Sequence, residues 1–79
     1  MKAQIFVTLK QEVLDPQGDA VRRALRSLDL GAVSDVRIGK LIEIELETDD
    51  RDTAEKQLGA MCEKLLANPV MEEFRFEFV

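Results

Sequence analysis

Few residues in this chain have the makings of chemistry. Cys62 is its one thiol, Lys40 follows Gly39, Glu43, Glu45 and Glu47 alternate along one segment, and Arg22, Arg23 and Arg26 cluster in another. There is no His, Tyr or Trp. A Cys-His or Ser-His-Asp system is therefore excluded within one chain, because each needs an imidazole to take the nucleophile's proton. A zinc site would have only Cys62 and carboxylates to draw on. Cys62 lies beside Met61 on an apolar stripe, with Lys64 as its only basic neighbour in the adjacent turn, so a buried structural thiol is expected rather than an activated one. Gly39-Lys40 departs from a phosphate-binding loop. The preceding glycine, Gly31, is too far away for G-x-x-x-x-G-K-[ST], and Leu41 stands where Ser or Thr is required. A tight hairpin turn is the better reading, with Lys40 free to meet a partner or an anion. The three glutamates repel one another unless a cation faces them, and Arg37 on the neighbouring strand is expected to supply it. Paired carboxylates can do acid-base work, but a strip without an apolar pocket is expected to be solvated or to face a partner. The arginine cluster reads as a solvated or partner-facing helix surface, with Asp19 paired to Arg23 one turn away.

The elements that must position these groups follow from periodicity. Lys2 to Lys10 alternates, with Ala3, Ile5, Val7 and Leu9 on one side and Gln4, Phe6 and Thr8 on the other, as a half-buried strand does. Phe6 is thus expected on the open side of the sheet. Asp15-Pro16-Gln17-Gly18 suits either an N-cap with proline at the first helical position or a type I turn that delays the helix by a few residues. Val21, Ala24, Leu25 and Leu28 recur at helical spacing, and Gly31 is expected to end that helix. Val33 to Ile38 is expected to form a second strand, Gly39-Lys40 a type II′ turn, and Leu41 to Thr48 a third strand that buries Ile42, Ile44 and Leu46. Asp49, Asp50 and Asp52 gather where a helix N-terminus attracts negative charge. The second helix carries Ala54, Leu58, Met61, Cys62, Leu65 and Leu66 on one face and stops by Asn68, before Pro69. Phe74, Phe76 and Phe78 alternate with Arg75 and Glu77 in a last strand.

The order is β-α-β-β-α-β. Right-handed crossovers place both helices on one face, so the expected fold is α+β and ferredoxin-like, a four-stranded antiparallel sheet in a single domain spanning residues 1–79. The chain is 46% hydrophobic and 34% charged, with a net charge of -5. Acidity disfavours nucleic acid and anionic membrane surfaces as partners. A domain of 79 residues buries a modest share of its surface, so association would add stability. No segment approaches the length of an apolar membrane span, and a single cysteine fits a reducing, cytoplasmic setting.

Three segments together resemble the PurS family of phosphoribosylformylglycinamidine synthase subunits: Val13-Leu14-Asp15-Pro16-Gln17-Gly18 with Ala20-Val21, then Val36-Arg37-Ile38-Gly39-Lys40, then Met61 to Glu72 with Asn68-Pro69-Val70 inside it. Their order and spacing span essentially the whole chain. The resemblance implies a non-catalytic subunit of the purine-pathway ligase complex that makes the amidine from formylglycinamide ribonucleotide. It implies a homodimer or higher form that bridges a glutaminase subunit and a large synthetase subunit and helps ammonia pass between them. It implies no cofactor on this chain, with ATP, Mg and glutamine used by the partner subunits. No catalytic, cofactor or metal residues carry over. Asp15, Pro16, Gln17 and Gly18 at the helix entry, Arg37, Gly39 and Lys40 at the expected hairpin, and Asn68 and Pro69 at the helix exit are the candidate partner contacts. Turn chemistry alone also accounts for such residues. The alternative is a small-molecule-binding regulatory module on the same fold. An acyl-phosphate hydrolase would need a positioned Asn beside an anion cradle, and the only Asn, Asn68, precedes a proline. RNA binding on such a sheet needs stacking aromatics where Glu43, Glu45 and Glu47 stand.

Overall fold

The computed structural model describes all residues, Met1–Val79. Alternation in Lys2–Leu9 produces strand β1, which buries Ala3, Ile5 and Val7 on one face. Two further strands, β2 (Gly39–Glu45) and β3 (Glu72–Phe78), pair with it on either side, both antiparallel, in the order β2-β1-β3. Ile5 lies opposite Ile42 on one side and Phe76 on the other. This register gathers most of the apolar residues of the three strands on one face and leaves Phe6 opposite Leu41 on the other.

Helix α2 (Arg51–Met61) covers that face. Asp50 caps it, accepting from the Asp52 N–H and, at 2.6 Å, from the Thr53 hydroxyl. Ala54 and Leu58 point into the sheet and are fully buried. The helix then widens into a π turn, Cys62–Leu66, closed by the Ala67 N–H donating to the Cys62 carbonyl at 3.0 Å. One residue more per turn changes which side chains face inward. Cys62 and Ala67 stay buried while Leu65 is 82% exposed, so Leu65 is not on the core face expected for it.

The expected four-stranded sheet is not formed. Residues Val33 to Ile38 are not a strand, and Gly39-Lys40 is not a hairpin turn but the start of β2. Helix α1 (Pro16–Ser27) does not cover the sheet either; Gly18 is its one buried residue, and Leu28 just beyond it is 68% exposed. Residues 10–38 instead form an arm that leaves the end of the sheet where β1 finishes. The molecule measures 49 × 26 × 14 Å with a radius of gyration of 15.9 Å, against about 12 Å for a compact chain of this length. The physical reason lies at the arm's base, where the segment before β2 is bonded to the start of α1 instead of to a strand edge.

Asp15 is the N-cap of α1 and Pro16 its first residue, which selects the capping reading over the type I turn. The helix ends earlier than Gly31. Leu30 N–H donates to Leu25 O and Asp29 N–H to Arg26 O, with Asp29 at φ 59, so an aspartate takes the left-handed position that closes the helix. No helix is long and apolar enough to cross a membrane.

Candidate functional site at the base of the arm

The Asp15 carboxylate joins the two ends of the arm. One oxygen accepts the Gly18 N–H at 3.0 Å, and the other accepts the Ile38 N–H at 2.7 Å. Asp15 is 6% exposed. The Gly18 N–H first, and then the Ile38 N–H, hold its carboxyl below the ordinary aspartate value of 3.8, because both donors favour the charged form. Arg37 strengthens the same joint, donating to Val13 O at 2.7 Å and Gln11 O at 2.8 Å. It is therefore not the cation across from the glutamate strip. Lys2 takes that place for Glu43 at 3.2 Å, and the terminal ammonium of Met1 approaches Glu45 at 3.7 Å.

Two glycines let the chain pass itself at this joint. A Cβ on Gly18 would come within 2.0 Å of the Val36 carbonyl oxygen, and one on Gly39 within 2.7 Å of the Val7 carbonyl oxygen. Both approaches are to backbone, which has little room to yield.

Glu72 ties in the remaining candidates. One of its oxygens lies 3.7 Å from Lys40 Nζ, and the other accepts the Asn68 N–H at 2.7 Å. The Asn68 carbonyl in turn accepts the N–H of Glu72 at 2.7 Å, and its side chain accepts the N–H of Val70 at 3.0 Å. A cleft of about 340 Å³ lies between these groups, lined by Thr8, Asp15, Gln17, Gly39, Lys40 and Glu72 among others. Asp15, Pro16, Gln17, Gly39 and Lys40 thus meet around one cleft. Gly18 and Arg37 flank it, and Asn68 connects through Glu72. Pro69 lies apart, lining a second cavity with Cys62 and Phe74.

Glu72 and the Ile38 backbone are the site groups missed among the candidates named from sequence. Opposite charge on Lys40 and Glu72 was the available signal, but only the register of β1 with both neighbours brings those two strand ends together. Each carboxylate and cation here has a partner, so the arrangement holds shape and presents a charged rim. Cys62 stands outside it, fully buried, and burial followed by the Glu63 charge pushes its thiol above the ordinary value of 9.0. A thiol so placed stays protonated at neutral pH and is a poor nucleophile.

The expected basic patch on α1 is largely engaged within the helix. Asp19 accepts from Arg22 at 2.7 Å and also from Arg23, which holds its carboxyl below the ordinary range. Phe6 lies on the open sheet face as expected, with the Arg75 guanidinium 4.0 Å from its ring centre.

Residues 2–79 match the model of the family PurS, phosphoribosylformylglycinamidine (FGAM) synthase. The chain belongs to the PurS family. It is 51% identical over 76 residues to the phosphoribosylformylglycinamidine synthase subunit PurS of Bacillus subtilis, covering 96% of this chain and 89% of that protein. Identity to the PurS subunit of Synechocystis is 53% over 74 residues, 94% of this chain and 74% of that one. The solved structure of Bacillus subtilis PurS is similar with a TM-score of 0.86, covering 96% of this chain and 94% of the other. A chain in the structure of PurLQS from Thermotoga maritima is similar with a TM-score of 0.91 at 35% identity, covering 99% of this chain and 95% of that one. The α+β arrangement of two helices and a three-stranded antiparallel sheet is thus a PurS arrangement, arm included.

Proposed function

We propose that this chain is a non-catalytic bridging subunit of phosphoribosylformylglycinamidine synthase, the ligase complex of purine biosynthesis. It would hold a glutaminase subunit and a large synthetase subunit together so that ammonia passes between them. The observation that carries this reading is the likeness, over nearly the full length of both chains, to a chain of PurLQS from Thermotoga maritima. The chemistry of the residues supports it: a buried, protonated thiol, no imidazole, and carboxylates engaged in holding the backbone. Glutamine, ATP and Mg would be handled by the partner subunits, with no cofactor on this chain. The rim around the arm base, comprising Asp15, Pro16, Gln17, Gly18, Arg37, Gly39, Lys40 and Asn68 with Pro69 nearby, is the proposed partner contact.

The chain would act as a dimer through exchanged arms. The outer edge of β2 is unpaired, and a groove of about 480 Å³ runs beside it, lined by Ile44, Ala60, Met61, Leu65 and Leu66 among others. In a single-chain ferredoxin-like domain the first helix and the strand after it would fill that groove and that edge. Here the helix and the non-strand segment 33–38 lie out on the arm, with Val21, Leu28 and Leu30 uncovered. A second copy can place its arm there and receive this one in return, burying both apolar surfaces.

The test compares product formed from glutamine with product formed from ammonium, with and without this chain, using the partner subunits. Omission is expected to abolish most of the glutamine-dependent reaction and to spare that driven by high ammonium, because tethering raises the effective concentration of the transferred species. Equal loss of both reactions would assign the chain a direct part in the synthetase site. Loss of neither would end the bridging reading. Charge reversal at Lys40 is expected to weaken recovery when the chain is added back.

A further inference from the structure

The face of the sheet turned away from α2 has no cover within the chain, and strand register sets it out in rows. Leu41, Phe6 and Arg75 lie side by side across β2, β1 and β3. Glu43, Gln4 and Glu77 form the next row, with Glu45 and Lys2 beyond it; on the other side stand Gly39, Thr8 and Glu73. Leu41 is 54% exposed, and the Arg75 guanidinium lies 4.0 Å from the Phe6 ring centre. Leucine beside phenylalanine, with an arginine stacked on the ring and charges around them, has the anatomy of an interface: an apolar and aromatic centre inside a polar rim.

That rim is acidic. Glu43, Glu45, Glu73 and Glu77 stand against the side chains of Lys2 and Arg75, four negative charges against two positive. Lys2 serves Glu43 at 3.2 Å, and Arg75 serves Glu77. Glu45 is approached by no side-chain cation, only by the Met1 ammonium at 3.7 Å. Glu73 is exposed and forms no ion pair. Beside Glu73 lies a hollow of about 390 Å³, lined also by Phe6, Thr8, Phe74 and Arg75. A long cationic side chain entering it would lay its apolar stem against the phenylalanines and set its charge on the carboxylate.

We propose that this open face docks a basic, amphipathic segment of one of the two partner subunits, with apolar side chains on Leu41 and Phe6 and Lys or Arg side chains on Glu45 and Glu73. The inference rests on the bridging reading and adds to it a second contact surface, distinct from the rim at the arm base. A second copy is a poor occupant, because the same glutamates would meet their counterparts, and like charges set together across an interface cost several kcal/mol. Nucleic acid is opposed by the same sign of charge.

Calorimetric titration of the full chain with each partner subunit, at low and at high salt, tests it. Glu45→Lys/Glu73→Lys reverses the sign of the face without breaking a side-chain ion pair. It is expected to weaken binding to one subunit about tenfold at low salt and to flatten the salt dependence. Leu41→Thr keeps a strand-forming residue and is expected to weaken binding by a similar factor while leaving the salt dependence as in the parent. Both variants should keep the melting temperature and sedimenting mass of the parent. A parent chain that binds, with folded variants that bind equally well, overturns this inference alone and leaves bridging to the arm base. A parent chain that binds neither subunit overturns both. A change in the sedimenting mass of the isolated variants would show that a second copy covers this face, which also overturns the proposal.

Discussion

Asp15 holds the arm with one carboxylate, and that makes the joint sensitive to acid. Its proton is released more readily in the folded chain than in the unfolded one. It thus contributes stability that is fully present above the ordinary aspartate value of 3.8 and is lost as pH falls below that value, through the lower folded one. Asp15→Asn can accept the Gly18 N–H but presents an amide N–H₂ or a single oxygen to the two donors, so one bond is lost. Its melting temperature is expected to lie below that of the parent at neutral pH, with the gap closing as both are titrated through this acid range. A constant gap down to strong acid would show that the carboxylate charge contributes nothing. Cys62 gives a complementary expectation. Cys62→Ser places a hydroxyl where no exposed surface remains and is expected to cost about 1–3 kcal/mol in denaturant unfolding, while glutamine-dependent synthesis persists in proportion to the folded fraction. Lost synthesis at full folding would give the thiol a chemical role.

Within the elements, glycines separate local propensity from close approach. Gly18→Ala improves intrinsic helix propensity yet drives a methyl into the Val36 carbonyl, and overpacking of this kind costs about 1–3 kcal/mol. Gly59 in α2 has nothing within 4 Å of where a methyl would stand, so Gly59→Ala is expected to stabilise by about 0.5–1 kcal/mol. Thermal melts of the two variants should move in opposite directions. The same contrast explains what could be read from sequence. Strict alternation in Lys2–Leu9 and in Glu72–Phe78, the Asp-Pro start of α1 and the apolar side of α2 are local patterns, and each led to an element of the right kind. The segment 33–38 also has strand-like composition, but a strand needs an edge to pair with. Asp15 and Arg37 claim this segment for the arm base, and no local pattern announces that. The π turn is equally silent, because an apolar stripe reads the same until one turn takes an extra residue and Leu65 swings outward. The candidate residues at the arm base were legible as turn chemistry and through family resemblance; their convergence through Glu72 depends on strand register.

At the scale of the whole molecule, shape is the dominant fact. A core of three strands and one helix carries an arm whose apolar residues find no cover within the chain. The core is small: Ile5, Leu58, Val7 and Cys62 are its largest fully buried side chains. Stability is therefore expected to depend on protein concentration, since whatever covers the arm binds the folded state and not the unfolded one. Melting temperatures measured over a range of dilutions should fall as the chain is diluted; a constant value would place all the stabilisation within one chain.

The stretch from Leu28 to Val36 has a further consequence outside the assembled complex. It lies beyond the helix, belongs to no ladder, and is mostly exposed. A protease needs an extended, accessible segment, and an uncovered copy offers one while its sheet stays closed. Brief digestion of dilute protein should cut first in this stretch and leave the strands whole, with resistance growing as copies cover one another. In a cell the same asymmetry would work as stock control. Copies made in excess of their partners would be the ones removed, so the amount that persists would follow the number of assemblies to be built instead of the rate of synthesis.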